Sequence, residues 1–167
     1  MKKSVKIILV IILTALVLLI LLRRITPREI DDIHPNWDCE EEYIAKAKTL
    51  WIMPMWNDSD ISKNKSWCEK MRNSNKTFGM HGIQSWYREF DEPVNEEYFK
   101  EAIEAYKNCF GEYPTMFKAP ALKISKENKE LVKKYNMTLR TPYHQTIHKV
   151  YHCQNTGRFP NWFHDIF

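Results

Sequence analysis

Two adjacent carboxylates, Asp31 and Asp32, close the strand-like run Arg28-Glu29-Ile30-Asp31-Asp32-Ile33-His34-Pro35. Neighbouring acids beside apolar residues cost free energy when buried unless something cationic answers them. Other reactive side chains stand at the ends of apolar steps in the same way. These are His81 in His81-Gly82, Lys118 in Lys118-Ala119-Pro120, and His164 in Trp162-Phe163-His164-Asp165-Ile166. Carboxylates and imidazoles brought together supply the oxygen and nitrogen ligands that a zinc-type divalent ion takes, with a position left for water. Each residue also has a plain structural use. One aspartate could cap the next helix, His81 could be a core histidine bonded to backbone, Lys118 could be solvated, and His164 could be a surface residue near the terminus.

The elements must bring these residues to one place. Adjacent strand side chains point to opposite faces, so Asp31 and Asp32 share a cleft only if the chain turns at the strand's C-terminal end. Apolar steps at residues 49–56, 77–83, 115–119 and 137–140 read as further strands, the first limited by Pro54 to an edge or a strand end. Between them, helical patterns cover residues 40–48, 62–73, 95–111 and 125–134. The third is the best defined, with Asn95 as N-cap, Glu96 and Glu97 in the first turn, and Gly111 past its end. Strand and helix alternate about four times, which predicts an α/β fold with a mainly parallel sheet. In such a sheet the reactive strand ends lie along one edge. From Thr141 onward the chain is rich in histidine and aromatics and no element is assigned. There His144, His148 and His152 follow at spacing four, but Thr141-Pro142 argues against a helix, so the spacing is read as incidental.

The first 27 residues read as a membrane anchor. Lys2, Lys3 and Lys6 precede an uncharged run, residues 7–22, whose only polar member is Thr14, and Arg23 and Arg24 close it. As a helix the run spans roughly 24 Å, against a bilayer core of about 30 Å. It is long for a signal-peptide core and no small-residue cleavage site follows, which favours an uncleaved signal anchor over a cleaved signal or a buried helix. The remaining residues, 28–167, form one domain. Its four cysteines, Cys39, Cys68, Cys109 and Cys153, include no CxxC pair and suit two disulfides with three open connectivities. Four N-x-[ST] sequons begin at Asn57, Asn64, Asn75 and Asn136. Both features point to a domain on the extracytoplasmic side. A net charge of +4 without a dense basic patch gives no indication of nucleic-acid binding.

The order Asp-Asp, His-Gly, Lys-x-Pro and late His resembles the polysaccharide deacetylase superfamily. This is the NodB-homology domain of carbohydrate esterase family four, and the chain looks closest to a branch with an Asp-Asp start and a His-Gly motif. The resemblance covers roughly residue 28 to the C-terminus. It includes Glu89-Phe90, the long helix, Phe110-Gly111-x-x-Pro114 and Phe117-x-x-Pro120. It implies a short, irregular (β/α) barrel of mainly parallel strands, a divalent metal of the zinc kind, and a glycan substrate. Carried over by position, Asp31 matches the catalytic base, Asp32 the metal-binding acid and His81 the first metal-ligand histidine. Lys118 and Pro120 stand where the family's Arg-x-Pro element orients the base and lines the substrate groove. His164 matches the histidine of a late Leu-x-His motif, the general acid. The implied reaction is removal of an N-acetyl group from an amino sugar. Asp31 takes a proton from the attacking water and His164 gives one to the departing amine.

Two positions depart from that pattern. Serine stands at position 85, where the family has its second histidine ligand. A third ligand would have to come from His34, His144, His148 or His152, or the site stays incomplete. Lys118 replaces arginine and cannot reproduce bidentate guanidinium contacts. Two other readings follow: a metal-poor glycan-binding remnant, or an anchored interaction protein with an exposed patch around Trp51, Trp56 and Trp67. Trp37, Trp86 and Tyr87 could stack on sugar rings or pack in the core.

Overall fold

A computed structural model describes residues 2–166 as an α/β protein with one six-stranded, wholly parallel sheet. The chain begins with helix α1 (Lys2–Ile25), then β1 (Glu29–Ile33), α2 (Glu41–Lys46) and β2 (Thr49–Ile52). There follow α3 (Lys65–Arg72), β3 (Thr77–His81), α4 (Glu96–Phe110), β4 (Met116–Lys118) and α5 (Lys126–Lys134). The chain closes with β5 (Thr138–Leu139), α6 (Pro142–Ile147), β6 (Val150–His152) and α7 (Asn161–Ile166). Strand order is β5-β4-β3-β2-β1-β6. Every connection but the last is a step to the neighbouring strand, so all the strand C-termini share one edge.

Local chemistry sets the helix ends. Asn95, Ser125 and Asn64 each accept a backbone N–H in the first turn of α4, α5 and α3. Gly111 ends α4 at φ 83, a left-handed cap that glycine adopts without a Cβ penalty. The helix expected across 62–73 is two pieces, a 3₁₀ turn at Ile61–Lys63 and then α3, because Asn64 caps a new start. Thr141-Pro142 begins a helix instead of forbidding one. Proline occupies the first helical position of α6, where no N–H partner is needed.

The sheet separates two environments. Ile30, Leu50, Ile52, Phe78, Met80, Phe117 and Tyr151 point to the helix-covered face and form its two apolar clusters. The opposite face carries Glu29, Asp31, Trp51, His81, Lys118 and His152, as the registers Asp31↔His152, Trp51↔Gly79 and His81↔Lys118 require. Trp51 lies flat over Gly79, where an added Cβ would come within 2.3 Å of its ring. Its indole donates to Glu29 Oε2 at 2.7 Å, and Arg140, just past β5, reaches Glu29 Oε1 at 3.0 Å. In a flat sheet β5 and β1 would lie about 19 Å apart, beyond the reach of one arginine. The sheet is therefore strongly curled, with this polar face inside. The patch proposed around Trp51, Trp56 and Trp67 does not form, because Trp51 is fully buried and the other two are partly covered.

Two disulfides pair Cys39 with Cys153 and Cys68 with Cys109. The first ties the segment after β1 to the end of β6. The second ties α3 to α4. Among the described residues, one helix is long and apolar enough to cross a membrane, over Ser4–Ile25, longer than the expected 7–22.

Candidate active site at the open edge of the sheet

Asp31 and Asp32 do reach one cleft, by way of a backbone exception. Asp32 has φ 66, and the β1–β2 register shifts between Ile30 and Ile33. This bulge breaks the alternation that would send the two carboxylates to opposite faces. Aspartate tolerates the left-handed region better than most residues, and strained backbone of this kind is concentrated at functional sites.

The cleft has a volume of about 910 Å³ and lies over the C-terminal ends of the strands. Asp31 at its base is 1 % exposed, and Lys118, 2 % exposed, donates to its Oδ1 at 2.7 Å. Lys118 is thus buried and paired, not solvated. His81 on β3 has its Nδ1 at 3.0 Å from the carbonyl oxygen of Lys118. A carbonyl only accepts, so Nδ1 carries the proton and Nε2 faces the acids. That nitrogen is 3.4 Å from Asp32 Oδ1 and 3.8 Å from Asp31 Oδ2. From β6, His152 places Nδ1 at 3.6 Å from Asp32 Oδ2 and 3.9 Å from Asp31 Oδ2.

Serine at position 85 also acts on this cluster. Its hydroxyl donates to Asp32 Oδ1 at 2.8 Å, and Thr156 donates to Oδ2 at 2.9 Å. The loop holding Ser85 is organised by Glu89, whose carboxylate accepts the N–H groups of Ile83, Gln84 and Ser85 at 3.0–3.2 Å. Burial raises the Glu89 carboxyl above its ordinary range, against the pull of those three donors. Gly82 is required in this turn. Its φ is 61, and a Cβ would meet Glu89 Oε2 at 2.4 Å and the Pro120 ring at 2.7 Å. Pro120 itself lines the cleft.

Electrostatics follow from this packing. Burial opposes the charge of Asp32, but the His152 hydrogen bond, the two imidazoles and Ser85 hold its carboxyl well below the usual carboxylate range. Burial likewise opposes charge on His152, but the bond to Asp32 and the charges of both aspartates raise it above an ordinary histidine. His164 behaves in the opposite way. It lines the cleft from α7, but burial, helped by Arg23, His152 and Lys149, lowers it to about 4. Its Nδ1 is buried without a hydrogen-bond partner. This lowering of the His164 pKa disfavours the imidazolium that the general-acid role taken from the late motif needs.

Of the four histidines that could replace the missing ligand, only His152 meets the aspartates. His34 spends both ring nitrogens locally, on Ser59 and Asn36. His144 caps its own helix at Thr141, and His148 lines the cleft with its Nδ1 bonded to the carbonyl of Pro27. The spacing-four histidines are thus not one set, and sequence could not single out His152 among the four because a three-residue strand leaves no periodicity to read. Of the aromatics, Tyr87 lines the cleft and is exposed, as is Trp86, whereas Trp37 packs edge-on to Trp56.

The donor set of Asp32, His81 and His152 fits a zinc-type ion in chemistry. His81 Nε2 and His152 Nδ1 approach different oxygens of Asp32, Oδ1 at 3.4 Å and Oδ2 at 3.6 Å. The backbone bond of His81 is the support that metal-binding imidazoles receive. Among the described residues, no group of three or more His, Cys, Asp or Glu side chains is placed to hold a metal ion, and these three are arranged as ion pairs. No family model, curated protein or solved structure matches the chain.

Proposed function

We propose that this protein is a membrane-anchored, metal-dependent hydrolase that removes N-acetyl groups from an amino-sugar glycan. The curled sheet is then a reduced (β/α) barrel open between β5 and β6, and the domain stands on the extracytoplasmic side. The carrying observation is the convergence of Asp31, Asp32, His81 and His152 at the base of a cleft wide enough for a sugar. The two disulfides support an oxidising compartment.

In this reading Asp32, His81 and His152 hold the ion, which would polarise the acetyl carbonyl as a Lewis acid. Asp31, fixed by Lys118, takes the proton from the attacking water as its oxygen bonds to the acetyl carbon. Asp31 then returns that proton to the amine nitrogen as the C–N bond breaks, leaving acetate and a free amino sugar. Ser85 and Thr156 keep the Asp32 carboxylate in its plane of approach. Exposed Tyr87 gives the cleft rim a flat apolar surface suited to a sugar ring.

The pairing of His152 Nδ1 with Asp32 Oδ2 at 3.6 Å favours a second assignment of the same residue, as the protonated donor to the leaving amine. His152→Ala separates the two. Lost zinc assigns it to the ion; retained zinc with lost acetate release assigns it to proton transfer. The function itself is tested by acetate release from N-acetylated oligosaccharide in the presence of zinc. Activity abolished by Asp31→Asn supports it, and no turnover with zinc bound removes it in favour of a glycan-binding module.

A further inference from the structure

The cleft is walled in part by the membrane anchor. Arg23, in the last turn of α1, is among the cleft-lining residues. Its guanidinium donates to the carbonyls of Gln145 at 3.2 Å and Thr146 at 2.6 Å, and Thr26 donates to that of Ile147 at 2.7 Å. These carbonyls belong to α6, and α6 also contributes Gln145 to the cleft. No flexible linker separates span from site. The candidate span Ser4–Ile25 is about 33 Å long as a helix, and its uncharged stretch ends at Leu22, directly before Arg23 and Arg24. Arg23 therefore sits where arginines snorkel to the interface, and the cleft opens at headgroup level.

The charge at this opening is positive. Arg23 and exposed Arg158 line the cleft, and Arg23, Arg24 and Arg28 lie near enough to Lys149 to disfavour its charge. The cleft's two carboxylates are deep and already engaged by Lys118 and the imidazoles. A neutral polymer gives arginines at the rim nothing to bind. A phosphate does.

We infer that the substrate is an amino sugar carried on a membrane lipid through a phosphate, with the phosphate at Arg23 and Arg158 and the N-acetyl arm at the aspartates. This rests on the membrane-anchored deacetylase reading, which it narrows to one substrate class.

The test uses the full chain, anchor included, in phosphatidylcholine nanodiscs. The probe is a radiolabelled hexadecyl phosphodiester of N-acetylglucosamine, and the soluble arm is its methyl phosphodiester. Retention is counted above protein-free discs. The inference predicts about one lipid-borne probe per chain at saturation, at least tenfold weaker binding of the methyl arm, and about tenfold weakening in Arg158→Gln. Arg24→Gln, on the same helical turn but outside the cleft, binds as wild type. Arg23→Gln also loses bonds to α6, so Arg158→Gln, whose described contact is only the Phe159 ring, is the deciding variant. Equal binding of the two arms, or no weakening in Arg158→Gln, overturns the inference. Acetate release is followed in parallel. Probe retained without acetate removes the deacetylase reading and leaves the lipid-borne sugar phosphate as a bound ligand instead of a substrate. Equal acetate release from soluble chitotetraose and from the lipid-borne probe removes this inference and leaves the deacetylase reading.

Discussion

The ammonium of Lys118 lies 2.7 Å from Oδ1 of Asp31, and both side chains are almost wholly withdrawn from water, at 3 % and 2 % exposure. The same ammonium is 3.8 Å from Glu29 and 5.4 Å from the centre of the Trp51 ring. A buried pair of this kind is weak evidence for stability in itself, since desolvation offsets most of the attraction. Its use is to hold Asp31 in one orientation beneath the cleft.

Breaking the pair from one side leaves a buried carboxylate uncompensated. Lys118→Met is expected to cost about 3 kcal/mol of folding stability. Adding Asp31→Asn is expected to restore most of it, because the unpaired charge is then gone. Denaturant unfolding of the full chain in detergent micelles, followed by tryptophan fluorescence, reads both. Unchanged stability in the single variant would mean that the Asp31 carboxylate finds water or a proton in place of the ammonium.

Gly157 packs against the ring of His152 so closely that a Cβ would stand 2.3 Å from Cδ2 and 2.9 Å from Nε2. Gly157→Ala should push the imidazole away from Asp32 and weaken zinc binding by about tenfold, the scale seen when a ligand loses its support. Zinc titration against a chelating dye measures this. Wild-type affinity in Gly157→Ala would free His152 from any part in holding the ion.

Much of this arrangement was legible beforehand. The caps Asn95, Ser125 and Gly111 are side-chain and backbone preferences that act within one turn, and they mark the observed helix ends. The Asp31–Asp32 pair was readable because buried acids demand a partner. What escaped was everything settled between distant segments. β5 and β6 have two and three residues, too few for any periodicity, and β6 is what delivers His152 to Asp31. The burial of Lys118 follows from sheet curvature, which no local pattern encodes. The burial of His164 that lowers its pKa is likewise set by distant segments.

His164 has a pH signature of its own. Its folded pKa of about 4 lies below the ordinary value of about 6.5. A depressed pKa contributes stability that is present above 6.5 and is lost as pH falls from 6.5 through 4. Allowing for its partial exposure, about 1–2 kcal/mol should disappear over that window. His164→Phe should flatten this slope while keeping acetate release within about threefold at pH 7. A hundredfold loss of activity without a change in slope would return His164 to catalysis.

The two disulfides should separate in effect. Each closes a long loop, with sequence separations of 114 and 41, so removing either is expected to cost about 2–5 kcal/mol. Only Cys39–Cys153 borders the site, since Cys153 follows His152. Cys39→Ser/Cys153→Ser should lose zinc affinity as well as stability, and Cys68→Ser/Cys109→Ser stability alone. Equal zinc affinity in the two double variants, measured below both unfolding transitions, would contradict the tethering role.

The most direct test is the zinc content of the purified full-length chain after zinc addition and exhaustive dialysis. The account predicts close to one zinc per chain, lost in Asp32→Asn and in His81→Ala. Asparagine keeps the left-handed backbone of residue 32 accessible, so that variant removes charge without forcing the turn. Wild-type protein that retains no zinc, or zinc that survives both substitutions, would contradict the metal-dependent site.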